Sequence, residues 1–199
     1  MKLLFLHGWG LDASLWDGIR RSLNDHDTCC WDRGYFTVPQ SAPPAGEPVL
    51  AIGHSLGSLL LALEPPAHCV GLVAINGFDR FVGYQAVSAR VVDRMRQRLA
   101  SNPREVLDSF RLRIGVGPHR GVVCADRLSK DLHTLATAVA PGTSLCRLLL
   151  QGGRDPLLPA AMQERTFAGA KRLIHPDAGH VLPLSHPEWC ADAIRELIE

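Results

Sequence analysis

Short runs of apolar residues recur along the chain, and a glycine or a polar turn follows most of them. Six runs have this character: 3–6, 28–31, 49–52, 69–75, 144–150 and 171–174. Their length and their content of leucine and β-branched residues favour strands. Because most of these runs are apolar throughout, they are typical of parallel strands covered on both faces. We therefore predict a mainly parallel sheet of about six strands.

Four helix-like segments lie between these runs, at 13–23, 56–63, 160–167 and 187–198. Alternating strands and helices are typical of an open α/β sheet with helices packed on both faces. The connections between parallel strands should be right-handed. The predicted fold class is therefore α/β.

A long insertion interrupts this alternation between the fourth and fifth strands. It has helical patterns at 85–99, 103–114 and 123–138, and Pro103 lies at a favoured first-turn position. A structureless loop of that length is uncommon in a compact domain. We predict that residues 79–140 form a helical lid inserted in a core made of residues 1–78 and 141–199.

Composition allows one globular domain. The chain has 199 residues, 46% of them hydrophobic, and a net charge of +1, so it can bury a substantial core. No stretch approaches the roughly 18 uninterrupted apolar residues of a membrane-spanning helix, and residues 1–8 have too few apolar residues for a secretory signal. We expect a cytoplasmic protein with neither a membrane nor a nucleic-acid partner.

The six cysteines indicate neither a disulfide framework nor a metal site. None of them forms a Cys-x-x-Cys pair. Cys29 and Cys30 are adjacent in a predicted strand, so their side chains should point to opposite faces of the sheet. We expect reduced, mostly buried thiols, no metal and no cofactor.

A Gly-x-Ser-x-Gly pattern at residues 53–57 is the first candidate for chemistry. It directly follows a predicted strand and directly precedes an apolar helix, which is the setting of a nucleophile elbow. Gly53 and Gly57 would avoid clashes in so tight a turn, and the turn would expose the hydroxyl of Ser55. Ser55 is therefore the predicted nucleophile.

An acid partner should follow the nucleophile in the sequence, after a later strand. Asp155 lies immediately past the fifth predicted strand, where its carboxylate could reach a histidine. Asp126, in the middle of the lid, and Asp177, close to His180, are the alternatives. We predict Asp155.

The histidine should come last. His180 lies after the final strand and before the final helix, and His175 and His186 are the alternatives. One neutral imidazole must accept the serine proton at one nitrogen while a carboxylate holds the other, so only one histidine can serve. We predict His180.

An oxyanion hole requires two backbone N–H groups near the nucleophile. Leu56, directly after the serine, supplies one of them at a helix amino terminus. Trp9, in the His-Gly-Trp-Gly turn after the first strand, would supply the other. The catalytic prediction is thus acyl transfer by a serine, a histidine and an aspartate.

Four segments carry a resemblance to the α/β-hydrolase superfamily. They are Leu-His-Gly-Trp-Gly-Leu-Asp at 6–12, Gly-His-Ser-Leu-Gly at 53–57, Gly-Gly-Arg-Asp-Pro-Leu-Leu-Pro at 152–159, and Ala-Gly-His at 178–180 followed by Ser-His-Pro at 185–187. Within that superfamily, the chain is most similar to the pimeloyl-acyl carrier protein methyl ester carboxylesterases. The turn at 7–11 and the segment Ser-His-Pro-Glu at 185–188 carry that closer likeness.

This resemblance implies a carboxylesterase of biotin synthesis, which removes a methyl group from a pimeloyl chain attached to acyl carrier protein. It also implies a trimmed α/β-hydrolase fold, because typical family members begin with two further strands before the one at 3–6. Trp9 and Phe110 would bind substrate, although Phe110 could equally be a core aromatic.

A basic lid would suit an acidic carrier protein. Residues 79–140 have a net charge of +5, while the rest of the chain has a net charge of −4. The likeness to the family suggests Arg104, Arg111 and Arg127 as carrier-binding residues. The same arginines would also suit the solvated face of a lid helix.

Three other functions share these residues. A generalist short-chain carboxylesterase and a thioesterase would use the same serine, histidine and aspartate. A catalytically silent binding protein of the same fold is the alternative outside the enzymes.

Overall fold

Six parallel strands form one sheet at the centre of the protein. A computed structural model describes residues 1–41, 46–84, 87–141 and 144–199. The strands are β1 (Lys2–Leu6), β2 (Thr28–Trp31), β3 (Val49–His54), β4 (Cys69–Ile75), β5 (Cys146–Gly152) and β6 (Lys171–His175). Their order in the sheet is β2-β1-β3-β4-β5-β6, and every neighbouring pair is parallel. The six predicted strands and their parallel arrangement are confirmed.

Eight α-helices occur in the part of the chain that the structure describes. They are α1 (Asp17–Ser22), α2 (Leu56–Leu63), α3 (Ala89–Ser101), α4 (Pro103–Arg113), α5 (Ala125–Thr137), α6 (Ala160–Arg165), α7 (Leu182–Ser185) and α8 (Pro187–Ile198). The α/β class is therefore confirmed. Among these helices none is long and apolar enough to span a membrane.

Both faces of the sheet are covered, and the strand pleat divides the core into two layers. On β3, Leu50 and Ile52 pack with residues of α1, α7 and α8. Val49 and Ala51, at the alternate positions, pack with residues of α2 and of the inserted helices α3 to α5. Successive strand side chains point to opposite faces, so a strand that is buried on both sides must be apolar throughout.

The predicted helix at 13–23 is divided in two. Ala13–Trp16 form a 3₁₀ turn, and α1 continues from Asp17 to Ser22. The carboxylate of Asp12 accepts a hydrogen bond from the backbone N–H of Ser14 and so caps the turn. The prediction of one continuous helix is therefore wrong.

The first inserted helix begins later than predicted. The pattern at 85–99 includes residues 85 and 86, which lie outside the described residues, and α3 begins at Ala89. The hydroxyl of Ser88 accepts the backbone N–H of Arg90 and marks the amino terminus of the helix. The predicted helices at 56–63 and 187–198 coincide with α2 and α8. Those at 103–114, 123–138 and 160–167 extend one or two residues beyond α4, α5 and α6, and α7 was not predicted.

Helix α5 is attached to the core by polar contacts. The buried carboxylate of Asp131 accepts two hydrogen bonds from the Arg33 guanidinium and one from the hydroxyl of Tyr35. The indole Nε1 of Trp9 donates to the carbonyl oxygen of Leu128 at 2.9 Å. These contacts join α5 to the loops that follow β1 and β2, at the carboxyl edge of the sheet.

Candidate active site

Ser55 occupies a strained turn between β3 and α2. Its φ angle is +52°, a left-handed conformation that non-glycine residues seldom adopt outside functional turns. A Cβ atom added to Gly57 would lie 2.1 Å from the carbonyl oxygen of Leu6, and one added to Gly53 would lie 2.5 Å from the Ser58 backbone. The turn therefore requires glycine at both positions.

His180 lies between Ser55 and Asp155. Its Nε2 atom is 3.1 Å from the serine Oγ, and its Nδ1 atom is 2.7 Å from Oδ2 of the aspartate. The other oxygen of Asp155 accepts the backbone N–H groups of Leu157 and Leu158, which fixes the carboxylate. With the Nδ1 proton directed at the carboxylate, the Nε2 lone pair faces the hydroxyl. This arrangement can take a proton from the serine.

The alternative acids and histidines lie elsewhere. Asp177 forms an exposed ion pair with Arg154, and Asp126 lies in the first turn of α5. The rings of His175 and His186 pack against one another at a tilt of 40°, with centroids 3.9 Å apart. Among the described hydrogen bonds, none joins these alternatives to the serine.

Leu56 and Trp9 are the residues whose backbone N–H groups were predicted to form the oxyanion hole, and both belong to segments that adjoin Ser55. Leu56 is the first residue of α2, and Trp9 follows Gly8, whose added Cβ would lie 3.0 Å from the Cβ of Ser55. Within the described residues, neither the Leu56 nor the Trp9 backbone N–H has an acceptor in the protein. Both are therefore free to meet an oxyanion, and their role stays a prediction.

Trp9 and Phe110 pack edge to face, with ring centroids 4.8 Å apart. Trp9 is only 2% exposed, and its indole N–H is engaged by α5, while Phe110 is half-buried. The tryptophan side chain therefore joins α4 and α5 to the turn that follows β1. Binding of substrate by these two residues stays a prediction.

The three arginines proposed for carrier binding brace loops. Their guanidinium groups donate to backbone carbonyl oxygens: Arg104 to those of His119 and Gly121, Arg111 to those of Gly10 and Gly117, and Arg127 to those of Gly34 and Thr37. Carbonyl groups do not neutralise a positive charge. A role in carrier docking therefore stays a prediction beside this structural one.

Two residues that the sequence did not single out bond to the main chain of His180. Asn76 directly follows β4, and its Nδ2 donates to the carbonyl oxygens of Gly179 at 2.9 Å and His180 at 2.7 Å. The Nε2 of His54 lies 2.8 Å from the same His180 oxygen. The only signal in the sequence is that each is a polar residue at the end of an apolar run.

His54 is neutral and fully buried. Burial, together with the neighbouring His180 ring, holds the pKa of His54 well below its usual value. Its Nε2 faces a carbonyl oxygen and must therefore carry the proton. Its Nδ1 is buried without a partner among the described residues.

A cavity of about 420 Å³ lies beside α2 and α5, and Trp31, Leu60 and Lys130 are among its lining residues. Neither Ser55 nor His180 lines this cavity. No group of three or more His, Cys, Asp or Glu side chains is placed to hold a metal within the described ranges.

Residues 3–193 match the sequence profile of the Alpha/beta hydrolase family. The chain belongs to this family. The match covers nearly the whole chain and confirms the predicted trimmed form of the fold, in which six strands remain. It also confirms the predicted enzyme class, a hydrolase.

Two relatives carry the same name, pimeloyl-[acyl-carrier protein] methyl ester esterase. The protein of Proteus mirabilis is 24% identical, and the match covers 99% of this chain and 92% of the relative. The protein of Aeromonas salmonicida is 21% identical, with coverage of 98% and 94%. The predicted likeness to this group of esterases is confirmed, and it supports a carboxylic ester hydrolase.

Solved structures show the same fold. A thermophilic esterase from Thermogutta terrifontis superposes with a TM-score of 0.68 at 21% identity, covering 100% of this chain and 89% of that one. The enol-lactonase from Burkholderia xenovorans superposes with a TM-score of 0.79 at 14% identity, covering 100% and 91%.

Proposed function

We propose that this chain is a serine carboxylesterase with Ser55 as nucleophile, His180 as general base and Asp155 as the group that orients the imidazole. The observation that supports this most directly is the line of contacts from the serine Oγ through the imidazole to the carboxylate, at 3.1 and 2.7 Å. All three groups lie at the carboxyl edge of the sheet, where ligands of open α/β sheets bind.

The proposed reaction proceeds in two halves. The Ser55 oxygen attacks the ester carbonyl while His180 takes its proton, and the imidazolium then gives that proton to the departing alcohol. The backbone N–H groups of Trp9 and Leu56 stabilise the oxyanion, each by about 3 kcal/mol. Water, activated by the same imidazole, then releases the acid and restores the serine.

Substitution of the serine tests this mechanism. Ser55→Ala should abolish cleavage of a short-chain nitrophenyl ester and labelling by a fluorophosphonate probe, without a change in melting temperature. Ser185→Ala, at an exposed serine of α7, serves as the control and should retain both activities. Wild-type rates in the Ser55 variant would refute the mechanism. An unlabelled, folded wild-type protein would favour the silent binding protein instead.

We propose the methyl ester of pimeloyl-acyl carrier protein as the substrate. The two full-length relatives bear that activity in their names. The net charge of +5 in residues 79–140 suits an acidic carrier, and we propose that this segment acts as the lid over the site. Arg104, Arg111 and Arg127 would dock the carrier while they brace the lid loops.

A comparison of carrier-bound and free methyl esters tests the substrate. The carrier form should be cleaved with a higher kcat/KM, and the wild-type chain should restore growth of an esterase-deficient biotin auxotroph where Ser55→Ala does not. Equal kcat/KM for the two esters, with no rescue, would contradict the carrier substrate and favour a generalist esterase. A faster reaction with the matching acyl thioester would favour a thioesterase.

A further inference from the structure

The carbonyl oxygen of His180 receives two side-chain hydrogen bonds from different strand ends. His54, the last residue of β3, donates at 2.8 Å, and Asn76, directly after β4, donates at 2.7 Å. We propose that His54 and Asn76 are positioning residues that hold the His180 main chain so that its ring stays aligned with Ser55. This inference rests on the proposed role of the serine and histidine.

The two donors connect His180 to both of its partners. His54 is covalently adjacent to Ser55, so its hydrogen bond ties the histidine main chain to the nucleophile turn. The Oδ1 of Asn76 accepts the backbone N–H of Gly152 at 2.7 Å, at the end of the strand that leads to Asp155. One side chain thus joins His180 to the serine, and the other joins it to the strand that carries the acid.

The segment around His180 requires such support because it belongs to a loop. Residues 176–181 lie between β6 and α7. A displacement of the His180 carbonyl group shifts the Cα atom bonded to it and so displaces the ring. Misplacement of a reacting group by about 1 Å can lower the rate about 100-fold. Two fixed donors on one carbonyl limit that movement.

The local chemistry fits a positioning role rather than proton transfer. The Nε2 proton of His54 is occupied by the carbonyl, and the ring is closed off from solvent. Asn76 has a φ angle of +44°, which asparagine tolerates better than most residues, and its backbone N–H is bonded to Leu150. Both donors are therefore fixed before substrate arrives.

Two amides of different length at position 54 test the proposal. The amide nitrogen of glutamine reaches the place of the histidine Nε2, whereas that of asparagine reaches only the place of Nδ1. His54→Gln should keep kcat for a nitrophenyl ester within about 5-fold of wild type. His54→Asn should lower kcat by about 100-fold and leave KM within about 2-fold. If the hydrogen bond to the His180 carbonyl did not matter, the two variants would keep similar kcat values, and that result would overturn the proposal.

Asn76→Asp is an independent variant, and it tests the positioning role even if His54→Asn does not fold. This variant keeps an oxygen that can accept the Gly152 N–H, but it removes the amide N–H groups that donate to Gly179 and His180. We therefore expect kcat to fall about 100-fold with KM little changed. A kcat above half of the wild-type value would overturn the role of Asn76.

The rate of fluorophosphonate labelling is measured in the same samples and should fall in parallel with kcat. If the folded wild-type protein is not labelled at all, the proposed function has failed. If the wild type is labelled and the variants react equally fast, only the positioning role has failed.

Discussion

Asp155 and His180 share a hydrogen bond of 2.7 Å, and neither side chain is more than 1% exposed. A carboxylate in that position selects the imidazole tautomer in which Nδ1 carries the proton. In the proposed mechanism it would also stabilise the imidazolium that forms when the serine loses its proton. In that mechanism Asp155 would affect the rate through His180 rather than through contact with substrate.

Asp155→Asn should lower kcat about 10⁴-fold with little change in KM, because an asparagine amide can donate to Nδ1 and favour the wrong tautomer. Steady-state kinetics with a nitrophenyl ester measures the effect. Asp177→Asn is the matched control, since Asp177 lies three residues before His180 in the sequence but pairs with Arg154 at the surface. If both variants kept wild-type kcat, Asp155 would not be the acid.

Gly57→Ala should destabilise the protein by about 3 kcal/mol or more, because the new methyl group would overlap the Leu6 carbonyl. Gly117→Ala is the control, since no atom lies within 4 Å of its added Cβ. Urea unfolding followed by circular dichroism measures the free energy of unfolding of both variants. Equal stability of the two would show that the turn can relax around a side chain.

Asp131→Asn should lower the free energy of unfolding by about 3 kcal/mol, because it leaves the partly buried Arg33 guanidinium without its counter-charge. Glu105→Gln breaks the exposed pair with Arg98 and should cost less than about 1 kcal/mol. The difference between the two variants, measured by urea unfolding, isolates burial as the cause. Similar losses of unfolding free energy in the two variants would show that the buried pair between α5 and Arg33 contributes no more than an exposed one.

Acid should remove a contribution of Asp32 to stability. Burial disfavours the Asp32 carboxylate, but interaction with the nearby His7 ring and hydrogen bonds from the backbone N–H groups of Gly34 and Ala13 outweigh burial and lower the pKa of Asp32 to about 2. A folded pKa below the unfolded value of 3.8 means that this contribution, at most about 2 kcal/mol, is present above pH 4. It is lost as the pH falls from about 4 to about 2.

Asp32→Asn should therefore be less stable than wild type at pH 7 and should approach it as the pH falls through that window. Unfolding free energies at several pH values test this. Asp192→Asn, at an exposed carboxylate on α8, should differ little from wild type throughout. If the difference in unfolding free energy between wild type and Asp32→Asn stayed constant down to pH 2, the charge of Asp32 would not be the source of its contribution to stability.

The sequence predicts the features that depend on local patterns. The placement of Ser55 follows from a five-residue motif between an apolar run and a helix, and the order of Asp155 and His180 follows from strand ends. The break after Trp16 was not predictable, because a 3₁₀ turn and an α-helix bury similarly spaced apolar residues. Helix α7 is four residues long and has too little periodicity to be recognised.

The hydrogen bonds of His54 and Asn76 could not be predicted for a different reason. Their acceptor is a backbone carbonyl that lies 126 and 104 residues further along the chain. A backbone carbonyl leaves no mark on residue identity, so no pattern in the sequence reveals which loop a polar strand-end residue will meet.

The position of the serine in the sheet also affects how the protein folds. Ser55 and His180 are 125 residues apart, and the strands that precede them, β3 and β6, are joined only through β4 and β5, which pair across the inserted helices. Contacts between such distant parts of a chain form slowly. If Ser55 reacts by the proposed mechanism, a collapsed chain with its helices in place would still lack an activated hydroxyl. The rate at which a refolding sample becomes reactive toward a fluorophosphonate therefore counts molecules with a completed sheet, which recovery of helical content does not.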